Sequence, residues 1–265
     1  MAFLKAILLG VLQGITEFLP VSSSGHLRLL EKGLGLSHPE PLFEIVLHIG
    51  TLLAIFGVYW DELGDLLRSC LRWARGRNLT WKDKASVRFA LYVLVATVPT
   101  GILGYYLRGV FQRMGLSYVA LMFLVTATLL FLTRGTPGDT RGEPIGLRRS
   151  LVVGIMQGLA VLPGVSRSGS TISVGLVLGI PRAEAARFSF FLAIPATIGA
   201  LALGIGEFSS KTSFGLGQML VGAFVAAIVG YLSLRFLLGV VERGRLWVFS
   251  LYLIPIAVIT FLLSR

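Results

Sequence analysis

Gly10–Gly25 reads GVLQGITEFLPVSSSG and Gly154–Gly169 reads GIMQGLAVLPGVSRSG, and the two stretches align without a gap. The identical pairs are Gly10/Gly154, Gln13/Gln157, Gly14/Gly158, Val21/Val165, Ser22/Ser166, Ser24/Ser168 and Gly25/Gly169. Chance apolar similarity would not bring the glycines and the polar positions into register together. In each copy an apolar segment, 3–19 or 148–162, runs into a proline, Pro20 or Pro163. A run of hydroxyls and glycine follows, residue types that favour bends through local hydrogen bonds and open φ values. A second short apolar piece comes next, near 26–35 and 170–180. Helix, polar turn, short helix is the pattern of a re-entrant hairpin. Irregular backbone of this kind is tolerated at membrane depth only where protein or a wet cavity surrounds it.

The rest of the chain supports a membrane setting. Of 265 residues, 55% are hydrophobic and only 14% charged, with a mean hydropathy of +0.82. A soluble domain carries roughly 25% charged residues. Six further stretches, near 42–60, 88–107, 117–133, 185–206, 217–238 and 246–263, are each long enough for the roughly 20 residues that cross a bilayer. The expected fold is therefore an all-α integral membrane protein with six transmembrane helices and two re-entrant helical hairpins. Phe43–Gly50 (FEIVLHIG) resembles Phe188–Pro195 (FSFFLAIP) in the same order, which extends the repeat downstream. Two repeats follow, 1–134 and 135–265, each a hairpin plus three spans. An odd number of crossings inverts the second repeat relative to the first, so the two hairpins should meet near mid-membrane. The glycine pairs Gly10/Gly14 and Gly154/Gly158 would permit close backbone approach there.

The net charge of +11 does not indicate nucleic acid, because most basic residues lie in short loops between apolar spans. Sixteen of the 24 Lys and Arg residues fall on one side of this topology, among them Arg68, Arg72, Arg75, Arg77, Arg148, Arg243 and Arg245. Seven, including Lys5, Arg28 and Lys211, fall on the other, with Arg167 set apart in the second turn. The richer side is cytoplasmic by the positive-inside rule, which turns both termini and the mouth of the first hairpin outward. The single Cys70 rules out internal disulfides. The N-terminal apolar run lacks a small-residue cleavage site and continues into Gln13 and Glu17, so it reads as mature protein.

Candidate chemistry concentrates in the two turns. Gln13 and Glu17 are one helical turn apart on one face, and an intramembrane Glu is by default a functional candidate. Ser22, Ser23, Ser24, Gly25 and His26 follow. A hydroxyl beside a base is the usual way to make a weak nucleophile attack, although a locked turn and a core histidine would use the same residues. In the second turn Arg167 stands among Ser166, Ser168, Ser170 and Thr171. A guanidinium with hydroxyls and turn amides binds phosphate well, and the same Arg could instead neutralise Glu17. Glu44 and His48, also one turn apart, could extend the site or bind a metal but more simply satisfy a neighbouring helix, while His38 and the mixed-charge stretch 61–88 read as solvated loops.

Gln13–His26, QGITEFLPVSSSGH, resembles the (E/Q)xxxE and serine-rich-histidine signature of the bacitracin-resistance-type undecaprenyl-diphosphate phosphatases. Pro163–Thr171, PGVSRSGST, is similar to that family's PGxSRSxxT motif. The resemblance covers essentially the whole chain. It implies hydrolysis of the terminal phosphate of undecaprenyl diphosphate in the bacterial plasma (inner) membrane, which recycles the lipid carrier of wall polymers and confers tolerance to bacitracin. It also implies Mg²⁺ or Ca²⁺ assistance, with Glu17 as the metal-binding carboxylate. By motif, Gln13 and Glu17 form the acidic pair, here with Gln in the first position. Ser22, Ser23 and His26 form the catalytic turn. Arg167, with Ser166, Ser168 and Thr171, holds phosphate, and Ser24 and Gly25 complete the binding turn. Membrane lipid and a second copy of the chain are the remaining expected partners.

The chemistry expected from the residues is attack of Ser23 on the terminal phosphorus, with His26 as base and then acid and Glu17 orienting His26 or the metal. Direct attack by His26 and a metal-activated water are alternatives. A lipid-phosphate transporter or flippase is the rival class, because inverted repeats with broken helices are a transporter architecture. An intramembrane serine protease would have no need of an Arg beside hydroxyls. The other lipid-phosphate phosphatase family with a Ser-Gly-His run expects an upstream Lys…Arg-Pro motif absent here.

Overall fold

The computed structural model describes residues 2–33, 41–113, 115–136, 145–205 and 214–264. Eleven helices are formed and no strand occurs among the described residues. The first hairpin is α1 (Ala2–Phe18) and α2 (Ser23–Gly33); α3 (Pro41–Val58), α4 (Trp60–Ala74), α5 (Trp81–Arg113) and α6 (Leu116–Phe131) follow. The second hairpin is α7 (Leu147–Leu159) and α8 (Arg167–Val177), followed by α9 (Arg182–Ile205), α10 (Leu216–Glu242) and α11 (Val248–Leu262). Each expected span is a helix, within a few residues of its expected bounds except 88–107, which lengthens at both ends to Trp81–Arg113, and both turns break the chain where Pro20 and Pro163 stand.

Among the described residues, three helices are long and apolar enough to cross a membrane: Trp81–Leu107, Arg182–Ala202 and Leu216–Glu242. A fourth crossing arises if Leu42–Val58 and Trp60–Ala74, bent by 80°, count as one. Leu116–Phe131 and Val248–Leu262 are apolar but shorter. Outward faces carry Leu94, Ile102, Leu220, Phe224, Leu232 and Val258, large apolar groups that water would not favour.

The stretch 61–88 is not the solvated loop expected from its charges. Leu63, Leu66, Leu67, Cys70 and Leu71 follow the 3.6-residue period, and α4 forms with Leu63 and Leu66 packed on the core. α5 then starts at Trp81, before the expected 88. Its start is a capping box: Asp83 N–H donates to Thr80 Oγ1, and Thr80 N–H donates to Asp83 Oδ2. Ser69 of α4 also donates to Asp83, at 2.9 Å, which ties the two helices together. His38 lies outside the described residues.

The glycine pairs permit close approach, but not of one hairpin to the other. α1 runs along α10 and α7 along α5, so each hairpin's first helix packs on a long helix of the opposite half. A Cβ at Gly10 would lie 2.6 Å from the carbonyl oxygen of Gly222, and one at Gly154 would press closer still on that of Ala96. Thr100 seals the second contact by donating to the carbonyl of Gly154 at 2.8 Å. Small residues let helices approach in lipid, where dispersion and hydrogen bonds rather than water exclusion hold them together. Gly154→Ala is accordingly expected to destabilise the protein by about 1–3 kcal/mol. The check is a lowered thermal midpoint in detergent, set against an Ala at the open Gly101.

Candidate functional site

The two turns meet, and their serines make the junction. Ser22 is the only non-glycine residue with positive φ (70°) among the described residues, a left-handed conformation that costs free energy in a residue with a Cβ. Its Oγ accepts from Gly25 N–H at 3.4 Å, at the start of α2, and from Gly164 N–H of the other turn at 3.1 Å. Ser166 caps α8 in the same way, accepting from Gly169 N–H at 3.1 Å. Ser168 Oγ donates to the Phe18 carbonyl at 2.9 Å, and Gly169 faces Pro20 too closely for a Cβ. Thr126 of α6 supports the second turn, accepting from Ser166 N–H and donating to the Gly164 carbonyl. Ser22, Ser166 and Ser168 are therefore buried in holding the turns together.

One position further along, the side chains reach a common centre. Ser23 and Arg167 occupy equivalent places in the aligned repeats, and both touch Glu17. Ser23 Oγ donates to Glu17 Oε2 at 2.7 Å. Arg167 Nη2 donates to Glu17 Oε1 in a tight ion pair. Gln13 Nε2 donates to Glu17 Oε2 at 3.1 Å. A carboxylate only accepts, so this bond fixes which end of the Gln13 amide faces it. His48 Nε2 stands 3.6 Å from Glu17 Oε2. Thus Glu17, buried at the end of α1, gathers a hydroxyl, an amide, a guanidinium and an imidazole.

Two polar atoms at this centre lack partners among the described residues. Arg167 Nη1 and Gln13 Oε1 are both buried and make no hydrogen bond there. A buried unpaired polar group is costly, more so when it is charged, so the two mark a place able to donate to an anion and to accept from a donor or cation. Gln157, the counterpart of Gln13, donates to the Leu192 carbonyl at 3.1 Å and likewise leaves Oε1 without a partner.

His26 is bonded elsewhere. Its Nδ1 faces the Ser22 carbonyl at 2.9 Å, and since a carbonyl only accepts, Nδ1 carries the proton. Nε2 then accepts from Tyr252 Oη at 2.9 Å, and the two rings stack with centroids 5.7 Å apart. Ser23 accordingly donates to Glu17 rather than to His26. Thr171, expected at the phosphate, is buried behind Arg167, donating to its carbonyl at 2.7 Å and sharing a 2.6 Å hydrogen bond with Ser189. Ser24 is half-buried beside Ser22, and Gly25 faces the Phe123 ring at a distance that leaves no room for a Cβ.

Tyr252, Thr126 and Ser189 belong to this neighbourhood although no motif singles them out, and His48, a weaker candidate in the sequence, joins it at Glu17. His48 and Ser189 lie in the matching stretches Phe43–Gly50 and Phe188–Pro195, which is the signal the internal repeat offers. Among the described residues no group of three or more His, Cys, Asp or Glu side chains is arranged to hold a metal ion. The oxygens at the centre are the Glu17 carboxylate, Ser23 Oγ and Gln13 Oε1, the ligand type that hard cations take, with both carboxylate oxygens engaged by Arg167, Ser23 and Gln13.

The family model described as "Bacitracin resistance protein BacA" matches residues 6–259. A protein of Desulfatibacillum aliphaticivorans named undecaprenyl-diphosphatase is 39% identical over 262 residues, 95% of each chain. Proteins of the same name from Methanosphaera stadtmanae and Desulfosudis oleivorans are 40% and 41% identical, over 98% and 94% of each chain respectively.

Proposed function

The chain belongs to the bacitracin resistance protein BacA family, and on that premise we propose that its paired turns form the active centre of an undecaprenyl-diphosphatase. The enzyme hydrolyses undecaprenyl diphosphate to undecaprenyl phosphate and inorganic phosphate, serving cell-wall synthesis and bacitracin resistance. The observation that carries the reading is the Arg167 guanidinium. One of its terminal nitrogens is paired with Glu17, and the other, buried and without a partner among the described residues, can donate to a phosphate oxygen. A terminal phosphate would fill that position while its isoprenoid tail stays in lipid.

In this reading Ser23 Oγ attacks the terminal phosphorus and its proton passes to Glu17, already 2.7 Å away. The bond from phosphorus to the bridging oxygen breaks, and undecaprenyl phosphate leaves. A phosphate monoester is stable as an anion, so its departure requires no proton from His26. Water then attacks the phosphoserine phosphorus, and the bond from phosphorus to Ser23 Oγ breaks. One proton of the water goes to Ser23 Oγ, the other leaves on the hydrogen phosphate, and Glu17 releases to solvent the proton it took in the first step. Arg167 holds the equatorial oxygens through both steps. Mg²⁺ or Ca²⁺ belongs to the same proposal, held by Glu17 and Gln13 Oε1, where it would neutralise charge on the diphosphate.

The proposed topology is six spans and two re-entrant hairpins in inverted repeats 1–134 and 135–265. Its support is the exchange of partners by which α1 packs on α10 and α7 on α5. Lysine and arginine placement supports an inner-membrane orientation with termini and mouth on the periplasmic side. A homodimer completes the proposal, and the mass of the detergent-solubilised particle tests it.

The primary experiment measures phosphate release from undecaprenyl diphosphate in detergent for wild type, Glu17→Ala, His26→Ala and Arg167→Ala, with and without chelator. The site predicts loss of activity in the Glu17 and Arg167 variants while the proteins remain folded; full activity in Arg167→Ala would overturn it. Tyr252→Phe is expected to leave kcat within about threefold of wild type, because His26 moves no proton in these steps and the ring stack with it survives. Steady-state kinetics check this, and Tyr252→Leu should cost more than Tyr252→Phe.

A further inference from the structure

α4 has two outward features that the reaction does not use. The 80° bend after α3 lays it across the end of an apolar helix rather than continuing it. Its inner face is committed, with Leu63 and Leu66 on the core and Ser69 bonded to Asp83. Trp60, Gly64, Leu67, Leu71 and Ala74 fall within an arc of about 80° at 100° per residue, on a different face. Trp60 is 72% exposed, Leu67 61% and Leu71 44%. An apolar stripe on a helix leaving a membrane span at this angle matches a helix that lies in the lipid interface.

Beside the stripe, Arg68, Arg72, Arg75, Arg77 and Leu71 line a hollow of about 180 Å³. The chain turn builds it. Gly76, with φ of +62°, ends α4, and Arg77 N–H donates back to the Arg72 carbonyl at 3.0 Å, which returns Arg77 to the helix end. Arg68 pairs with Asp65 and Arg72 with Asp83, while Arg75 and Arg77 have no acidic partner among the described residues. Four guanidinium groups around one hollow call for an anion with several oxygens. Leu71 lies both in the hollow and on the stripe, so the anion site is continuous with a surface suited to acyl chains.

We propose that this hollow binds the phosphate headgroup of an anionic phospholipid, with the adjoining stripe of α4 resting on its acyl chains. The shared chemistry is a phosphate oxyanion; continuity with the apolar stripe selects the lipid over free phosphate. The site is independent of the catalytic turns, so it can fail while the phosphatase reading stands.

The test uses the full-length protein in nanodiscs of phosphatidylcholine with increasing phosphatidylglycerol. Phosphatidylglycerol carries brominated acyl chains that quench Trp60 and its neighbours Trp73 and Trp81. Quenching should saturate at a low phosphatidylglycerol fraction in wild type, and the half-saturating fraction should rise by about tenfold or more in Arg75→Gln/Arg77→Gln. Brominated phosphatidylcholine should give no saturation in either protein. Phosphate release in detergent should be unchanged in the double variant, which reports that it is folded. Equal behaviour of the two lipids, or saturation that survives the double substitution, would overturn the proposal. Loss of saturation on adding millimolar inorganic phosphate would overturn the choice of lipid and make the hollow a free-anion site.

Discussion

Arg167→Lys is expected to lower kcat for phosphate release by about 10²- to 10³-fold while leaving the protein folded. The guanidinium works as a fork. Nη2 pairs with Glu17 Oε1, and Nη1 is buried without a partner. A single ammonium must choose between the carboxylate and the incoming phosphate, so lysine keeps the charge and loses the second contact. The loss should appear in kcat more than in KM, because the equatorial oxygens gain their extra charge in the transition state. Arg167→Ala behaves differently, leaving the buried Glu17 without its guanidinium partner at a cost of about 3–5 kcal/mol. Adding Glu17→Gln to Arg167→Ala should restore much of that stability and none of the activity. Near-normal kcat in Arg167→Lys would reduce Arg167 to a counter-ion for Glu17.

The same residues show where the sequence was legible. The two aligned stretches carried the hairpins, because Gln, Gly, Ser and Pro have few roles inside apolar segments and recur at equal spacing. Their meeting was an expectation from the parity of the expected spans, and the structure shows the contact itself, Glu17 on Arg167. What was not legible depends on long-range contact. Tyr252 is 226 residues from His26 in a span where a lone tyrosine looks lipid-facing, and only the packed helices bring their polar atoms to 2.9 Å. The expected partner of Ser23 was His26 because it is near in sequence. A helix start projects successive side chains about 100° apart, so Ser23 turns to Glu17 while His26 turns back to the Ser22 carbonyl. α4 was obscured by its own charges, which marked 61–88 as solvated although its leucines repeat with helical period.

The second large effect separates two adjacent serines. Ser23→Ala is expected to lower kcat by at least about 10⁴-fold with an unchanged thermal midpoint. Ser23 Oγ is half-buried and bonded only to Glu17, so its removal leaves the turn intact. Ser22→Ala should do the reverse. It removes the acceptor for Gly25 N–H and for Gly164 N–H, the bond that joins one hairpin to the other. Losing the cap costs about 1 kcal/mol, and stranding a buried amide costs about 1–3 kcal/mol more. Its midpoint should fall by several degrees while kcat drops far less than in Ser23→Ala. Rapid acid quench with substrate labelled in the terminal phosphate distinguishes the mechanisms directly. Wild type should trap label on the protein at Ser23, and Ser23→Ala should trap none. Label on a histidine, acid-labile and kept only under alkaline quench, would move the nucleophile to His26. Substantial turnover in Ser23→Ala with no trapped label would instead assign the attack to water, with Glu17 as its base and Ser23 as a holder of that carboxylate.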